Sequence, residues 1–206
     1  MWWQRHLSEF VTLFLVVNPF AVLATFLAIS RTLEPAAKRQ LAIHAVLIAF
    51  GTLVFFVFAG TFLLSQLGIS IRSFQIAGGI VLFLFSLEMI RGETYASAQT
   101  GEQGHLALAV YPLAIPKIAG PGTMVAIILL TDDDRFNLAG QSITVGILAV
   151  VLIIQLGFLL AAGPISRLIG SAGAAVIGRI MGMLLAALAV SMVLGAIGDW
   201  LNLPKL

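Results

Sequence analysis

An apolar run from about Leu106 to Thr131 is cut near its middle by Ile118-Ala119-Gly120-Pro121-Gly122-Thr123. A helix crossing lipid has few ways to accommodate two glycines and a proline at that depth. Pro121 removes a backbone donor and collides with the preceding turn, while the glycines permit conformations that side chains forbid. The run therefore predicts a helix interrupted near the bilayer midplane, with a new half-helix starting at Pro121, a residue suited to the first helical position. The amides of Gly122, Thr123 and Met124 would then lack intrahelical partners and converge on one spot. Such a terminus carries roughly +0.5 of an elementary charge and attracts anions. Irregular backbone within hydrocarbon survives only where protein buries it or where it lines a wet cavity, so the break is a candidate binding site.

The chain has 206 residues, of which 60% are hydrophobic and only 10% charged, and these proportions exclude a soluble globular domain. The formal charge of +2 comes from scattered basic residues, which indicates neither nucleic-acid binding nor a polybasic lipid patch. Cysteine is absent, which removes thiol catalysis and thiolate metal sites. Arg5 and the apolar run after Phe10 resemble a signal peptide, but the same pattern recurs later in the chain and points to a membrane span.

Six spans are predicted. The first runs from about Leu7 to Ile29 and carries Asn18-Pro19 at its centre, with Asn18 as an N-cap and Pro19 as a first helical residue. A second half-helix start is expected there, exposing the amides of Phe20, Ala21 and Val22. Glu34-Pro35 opens a second span reaching Leu67, long enough that it must tilt or protrude. The third runs from about Ile71 to Ile90 and ends with Glu88 and Arg91 spaced to pair on one helical face. After a polar stretch at 92–106 comes the broken fourth span, containing Pro112, Pro116 and Pro121. The fifth covers about Leu138 to Ala162, where Gly163-Pro164 should stop it, and the sixth about Ala175 to Ile197.

Sliding the chain on itself pairs Asn18-Pro19 with Gly120-Pro121 at an offset of 102 residues, and Gln75-Ile76-Ala77-Gly78 with Arg179-Ile180-Met181-Gly182 at 104. Two matches in the same order suggest two three-span units, residues 1–91 and 107–206, joined by 92–106. Three crossings per unit force the second to insert upside down. The expected fold is thus an all-α polytopic membrane protein, six transmembrane helices in a 3+3 inverted repeat with broken first and fourth helices, the plan of many secondary transporters. Re-entrant hairpins at the two breaks would remove the inversion.

Asn18-Pro19-Phe20-Ala21, together with Tyr111-Pro112-Leu113-Ala114-Ile115-Pro116 running into Ala119-Gly120-Pro121-Gly122-Thr123, resembles the MarC family of six-span bacterial inner-membrane proteins over essentially the whole chain. The resemblance implies a place in the neutral amino acid transporter group, whose members include carriers of glycine and alanine. Lys117 stands where an apolar residue is usual in such proteins, and Ala21 where glycine is usual.

The candidate substrate-binding residues are Asn18, Pro19, Phe20, Ala21, Lys117, Gly120, Pro121, Gly122 and Thr123. They surround two half-helix starts expected to meet from opposite sides of the membrane. A zwitterion would set its carboxylate on one terminus and its ammonium on carbonyls freed by a break. No acidic residue lies at the centre of a predicted span, so the site is expected to lack a counter-charge for a cationic side chain. The partners expected are thus a small zwitterionic substrate and the lipid bilayer, without nucleic acid. A bound cofactor is not expected, although a coupling ion, H+ or Na+, would serve such a carrier. Lys117 binds a carboxylate, gates access or snorkels. His44 lies only a few residues inside its span, and Asp132-Asp133-Asp134 reads as a solvated turn. Gly178, Gly182 and Ala186 form a small-residue stripe for close helix packing. Neither a nucleophile with a positioned His nor a pair of intramembrane aspartates is present, and no His or carboxylate cluster suggests a metal, so an enzyme is not expected. A channel, or a flippase-like accessory protein, is the alternative to a carrier.

Overall fold

The computed structural model describes residues 2–92, 105–131 and 138–201, so the aspartate run and most of the polar connection at 92–106 lie outside the described residues. Every element among the described residues is helical: α1 (Trp2–Val17), α2 (Pro19–Ile29), α3 (Pro35–Gln66), α4 (Ile71–Arg91), α5 (His105–Leu108) continuing into a wide-wound segment Ala109–Ile118, α6 (Pro121–Leu130), α7 (Leu138–Leu160) and α8 (Ala162–Trp200). Five helical stretches are long and apolar enough to cross a bilayer, with α1 and α2 counted together, and a sixth crossing is possible if the pair Ala109–Ile118 and Pro121–Leu130, bent by 51°, is one span. Large apolar side chains such as Phe55, Phe62, Ile153 and Met183 are exposed on the outside of the bundle, as lipid contact requires.

The long helix α3 has 32 residues. At 1.5 Å per residue it is about 48 Å long, well beyond a hydrocarbon core of roughly 30 Å, so tilt or protrusion follows. Ser70 caps α4 by accepting from the Ser73 amide, and Gly92 closes that helix in the left-handed conformation. The guanidinium of Arg179 reaches the same end of α4, where unpaired carbonyls favour a cation.

Two expectations about breaks need correction. Gly163-Pro164 does not stop a helix but lies in the first turn of α8. Proline is tolerated there because first-turn amides have no helical acceptor. The interruption falls instead at Gly170, with φ 65° and ψ 174°, a conformation open to glycine. The fourth segment is also more irregular than a single break: Tyr111 and Ile115, the residues preceding Pro112 and Pro116, are both extended. Steric conflict with the proline ring drives the preceding residue out of the helical region.

Two packing units result. Residues of α1, α2, α3, Ala109–Ile118, α6 and α7 share one large core that includes Leu13, Leu53, Leu113, Ile127 and Leu152. A smaller cluster joins α4 and α8 through Leu82, Leu185 and Ala189, touching the first unit at Val16 and Ala126. Within it α4 and α8 run antiparallel. Gln75 donates to the Met192 carbonyl at 2.9 Å, Gly79 faces Ala189 and Val193, and Gly182 faces Ser86 and Met89. Elsewhere α3 packs on Ala109–Ile118 and α6, while α7 packs on α1 and α2; α4 touches α6, and α8 touches α2.

Candidate functional site

The first break is built from Asn18. Its amide still donates to the Phe14 carbonyl at 3.0 Å, but its backbone then turns left-handed, with φ 51° and ψ 74°. Asparagine tolerates that region better than most residues. Pro19, the next residue, has no N–H to offer the Leu15 carbonyl, so the α1 ladder ends and α2 starts in a new direction. The Asn18 carboxamide oxygen accepts from the Ala21 amide at 3.3 Å, and the Asn18 carbonyl accepts from Ala21 and Val22. The terminus of α2 is therefore largely closed by its own cap, contrary to the expectation that the Ala21 and Val22 amides lack partners.

The second break is different. Gly120 occupies the cap position in an extended conformation and has no side chain with which to cap α6. Met124 donates to the Gly120 carbonyl at 2.9 Å, so its amide, expected to be open, is used. No side chain caps the Gly122 and Thr123 amides, and α6 thus presents the more open of the two termini. The break is spanned by the Thr123 hydroxyl, which donates to the Ile118 carbonyl at 3.0 Å, and by the Ala119 amide, which donates to the Ala114 carbonyl at 2.8 Å. Gly120 is required by close approach: a Cβ at that position would run into the Pro116 carbonyl oxygen.

Although about a hundred residues apart in sequence, the two breaks border one cavity of about 90 Å³. That exceeds the 10–15 Å³ one water needs, leaving room for several waters or one small molecule. Asn18, Ala21, Lys117, Gly120, Gly122 and Thr123 line it. Three other candidates shape the breaks without lining the cavity. Pro19 is buried at the start of α2, Phe20 turns to α7 and meets Phe158 edge-on at 5.1 Å, and Pro121 is exposed.

The remaining wall belongs to the α4–α8 unit. Leu82, Phe85, Glu88 and Met89 come from α4 and Leu185 from α8, with Val16, Val17 and Pro116 completing the lining. Glu88 overturns the expectation of a cavity without a negative charge. Its charge acts on Lys117, so the cavity contains groups of both signs. Position in the last turn of α4 made Glu88 resemble an end-of-helix partner for Arg91; the signal in the sequence was an ionisable residue still inside an apolar segment. Arg91 is exposed. His44 is exposed as well, its Nδ1 bonded to the Gln40 carbonyl at 2.8 Å, and it lies outside the cavity lining. No group of three or more His, Asp or Glu able to hold a metal occurs among the described residues.

The chain is similar to the UPF0056 inner membrane protein YhgN of Escherichia coli strain K12, with 31% identity over 200 residues covering 95% of this chain and 98% of that one. It is 32% identical over 205 residues to a UPF0056 membrane protein of Methanocaldococcus jannaschii, covering 94% and 96% of the two chains. A UPF0056 membrane protein of Archaeoglobus fulgidus is 31% identical over 196 residues, covering 93% and 92%. No solved structure matches the chain. The model of the MarC family of integral membrane proteins matches residues 3–201, and the chain belongs to that family.

Proposed function

We propose that this protein is a secondary transporter of small neutral amino acids, of the glycine and alanine type, working by alternating access in the inner membrane. The observation carrying this reading is the convergence of two helix breaks on one cavity that also contains Lys117 and Glu88. Broken helices in a membrane are tolerated where they line a cavity, and their termini supply partial charges for a polar ligand. A mere kink would need neither the second break nor the ionisable pair. The name of the Escherichia coli relative supports the inner-membrane location.

The packing pattern supports the inverted-repeat element of this reading. Exchanging the α1–α2 break with the Ala109–Ile118 to α6 break, α3 with α7, and α4 with α8 turns the contacts of α3 on the second break into those of α7 on the first. It likewise turns α4 on α6 into α8 on α2. The cavity lies where the α4–α8 unit meets the larger core. Rocking of one unit against the other would open it to alternate sides.

The test is counterflow of labelled glycine, alanine and serine in proteoliposomes, which requires no knowledge of direction or driving ion. Saturable exchange is expected, and it should be lost in Gly122→Leu, whose side chain would grow toward Leu82 and into the cavity. Unchanged exchange in that variant removes the site; absence of exchange in the correctly inserted wild type removes the carrier in favour of a channel or accessory role.

A further inference from the structure

We propose that Glu88 and Lys117 read the two charges of a zwitterion in this cavity, Glu88 taking the ammonium and Lys117, with the open terminus of α6, taking the carboxylate. The assignment rests on the carrier reading above and adds the residues and the rule by which that carrier selects.

The argument starts from placement. Glu88 belongs to α4, in the α4–α8 unit, whereas Lys117 immediately precedes the second break, in the larger unit. Both line the same cavity, and the charge of one acts on the other. An ionisable group at membrane depth is costly unless it is compensated, and two opposite charges bordering one small volume compensate each other. A ligand entering between them must preserve that balance. A zwitterion does so: its ammonium and carboxylate satisfy Glu88 and Lys117 in turn, and the cavity remains neutral overall. A cation or an anion of the same size would leave one charge unmatched in a medium of low dielectric, where the penalty is large.

Two further features fix the orientation. Gly122 and Thr123 line the cavity at the uncapped start of α6, and Lys117 lies just across the break, so the positive end of the helix and the lysine fall on one side. A carboxylate belongs there. Glu88 stands on the opposing wall with Leu82, Phe85 and Met89 on its own helix, where an ammonium finds its only acidic partner among the lining residues. Those apolar neighbours and the small volume leave space for a short, uncharged side chain. The ligand would also bridge the two packing units, since one of its charges is held by each. Occupancy would thereby favour their closure, and a ligand missing either charge would bind without closing the seam.

The test uses the purified full chain in lipid nanodiscs, with glycine, glycinamide and acetate as probes. Glycinamide retains the ammonium alone and acetate the carboxylate alone. Glycine is expected to displace labelled glycine saturably, while either fragment competes at least 100-fold more weakly. Glu88→Gln and Lys117→Met should each weaken glycine binding tenfold or more, and Lys117→Arg should retain most of it. Because a variant can lose binding through misfolding, the exchanged pair Glu88→Lys with Lys117→Glu is included; recovery of binding relative to either single change supports a charge-reading role. Glycinamide competing as well as glycine, or wild-type affinity in Glu88→Gln, overturns the assignment while leaving the carrier intact. Wild-type protein that neither binds nor exchanges glycine, alanine or serine overturns both.

Discussion

The carboxamide nitrogen of Asn18 donates to the thioether sulfur of Met89 across 3.2 Å, tying the first break to the last turns of α4. The same side chain caps α2 through Ala21. One residue thus sets the left-handed turn, closes a helix terminus and joins the two packing units. Replacing it separates these roles. Asn18→Ala should lose the cap, costing about 1 kcal/mol, and should add about 1–2 kcal/mol for a left-handed residue bearing a Cβ. Asn18→Gly recovers the backbone component but not the cap. Thermal unfolding of the detergent-solubilised protein should therefore rank wild type above glycine and glycine above alanine; alanine at or above glycine would mean that the turn carries no strain.

Thr123 is nearly inaccessible, and its hydroxyl reaches back over the break to the Ile118 carbonyl. Thr123→Val preserves shape and removes the bond, at an expected cost of about 1–2 kcal/mol, since a buried carbonyl loses its donor. Thr123→Ser preserves the bond and gives up a methyl group. Exchange activity should follow the hydroxyl, with serine closer to wild type than valine. The reverse order would assign Thr123 to packing alone.

The breaks were legible because proline and glycine act locally: Pro19 and Pro121 start half-helices wherever they are placed, and the sequence around them needs no tertiary context to be read. The span ends at Gln66 and Arg91 were legible for a similar reason, as polar residues and glycine follow apolar runs. Gly163-Pro164 misled because a proline that terminates one helix is equally suited to the first turn of the next, and only the interruption at Gly170 distinguishes the cases. Glu88 was hidden by the opposite problem. Its role depends on a residue 29 positions away, Lys117, and nothing in the local pattern of α4 indicates which side of the helix faces the cavity.

The small-residue stripe of α8 shows how finely that limit operates. Gly182 is needed: a Cβ there would stand 3.0 Å from the Ser86 carbonyl oxygen and from the Met89 Cβ, atoms that cannot withdraw easily. Gly178, one turn earlier, has open space around the same construction. Gly182→Ala should therefore lower stability by about 1–3 kcal/mol, the usual cost of overpacking, whereas Gly178→Ala should be neutral or slightly stabilising because alanine favours helix. Equal melting temperatures for the two variants would show that the α4–α8 seam is looser than its geometry indicates.

Gln155 of α7 is fully buried, and neither its carboxamide oxygen nor its nitrogen has a partner among the described residues. It sits in the larger core, close in sequence to Phe158, whose ring meets Phe20 at the start of α2. Leaving both halves of a carboxamide unmatched costs about 1–3 kcal/mol per group, so a side chain of similar volume without the polar atoms should be better tolerated. Gln155→Met is accordingly expected to raise the thermal midpoint by several degrees with helix content unchanged. A lowered midpoint would mean that the carboxamide is satisfied in the membrane by a water or an ion held beside the first break. Comparing the melting of wild type and variant with sodium replaced by an organic cation would separate those two: an ion predicts that the wild-type advantage disappears, and a water that it persists.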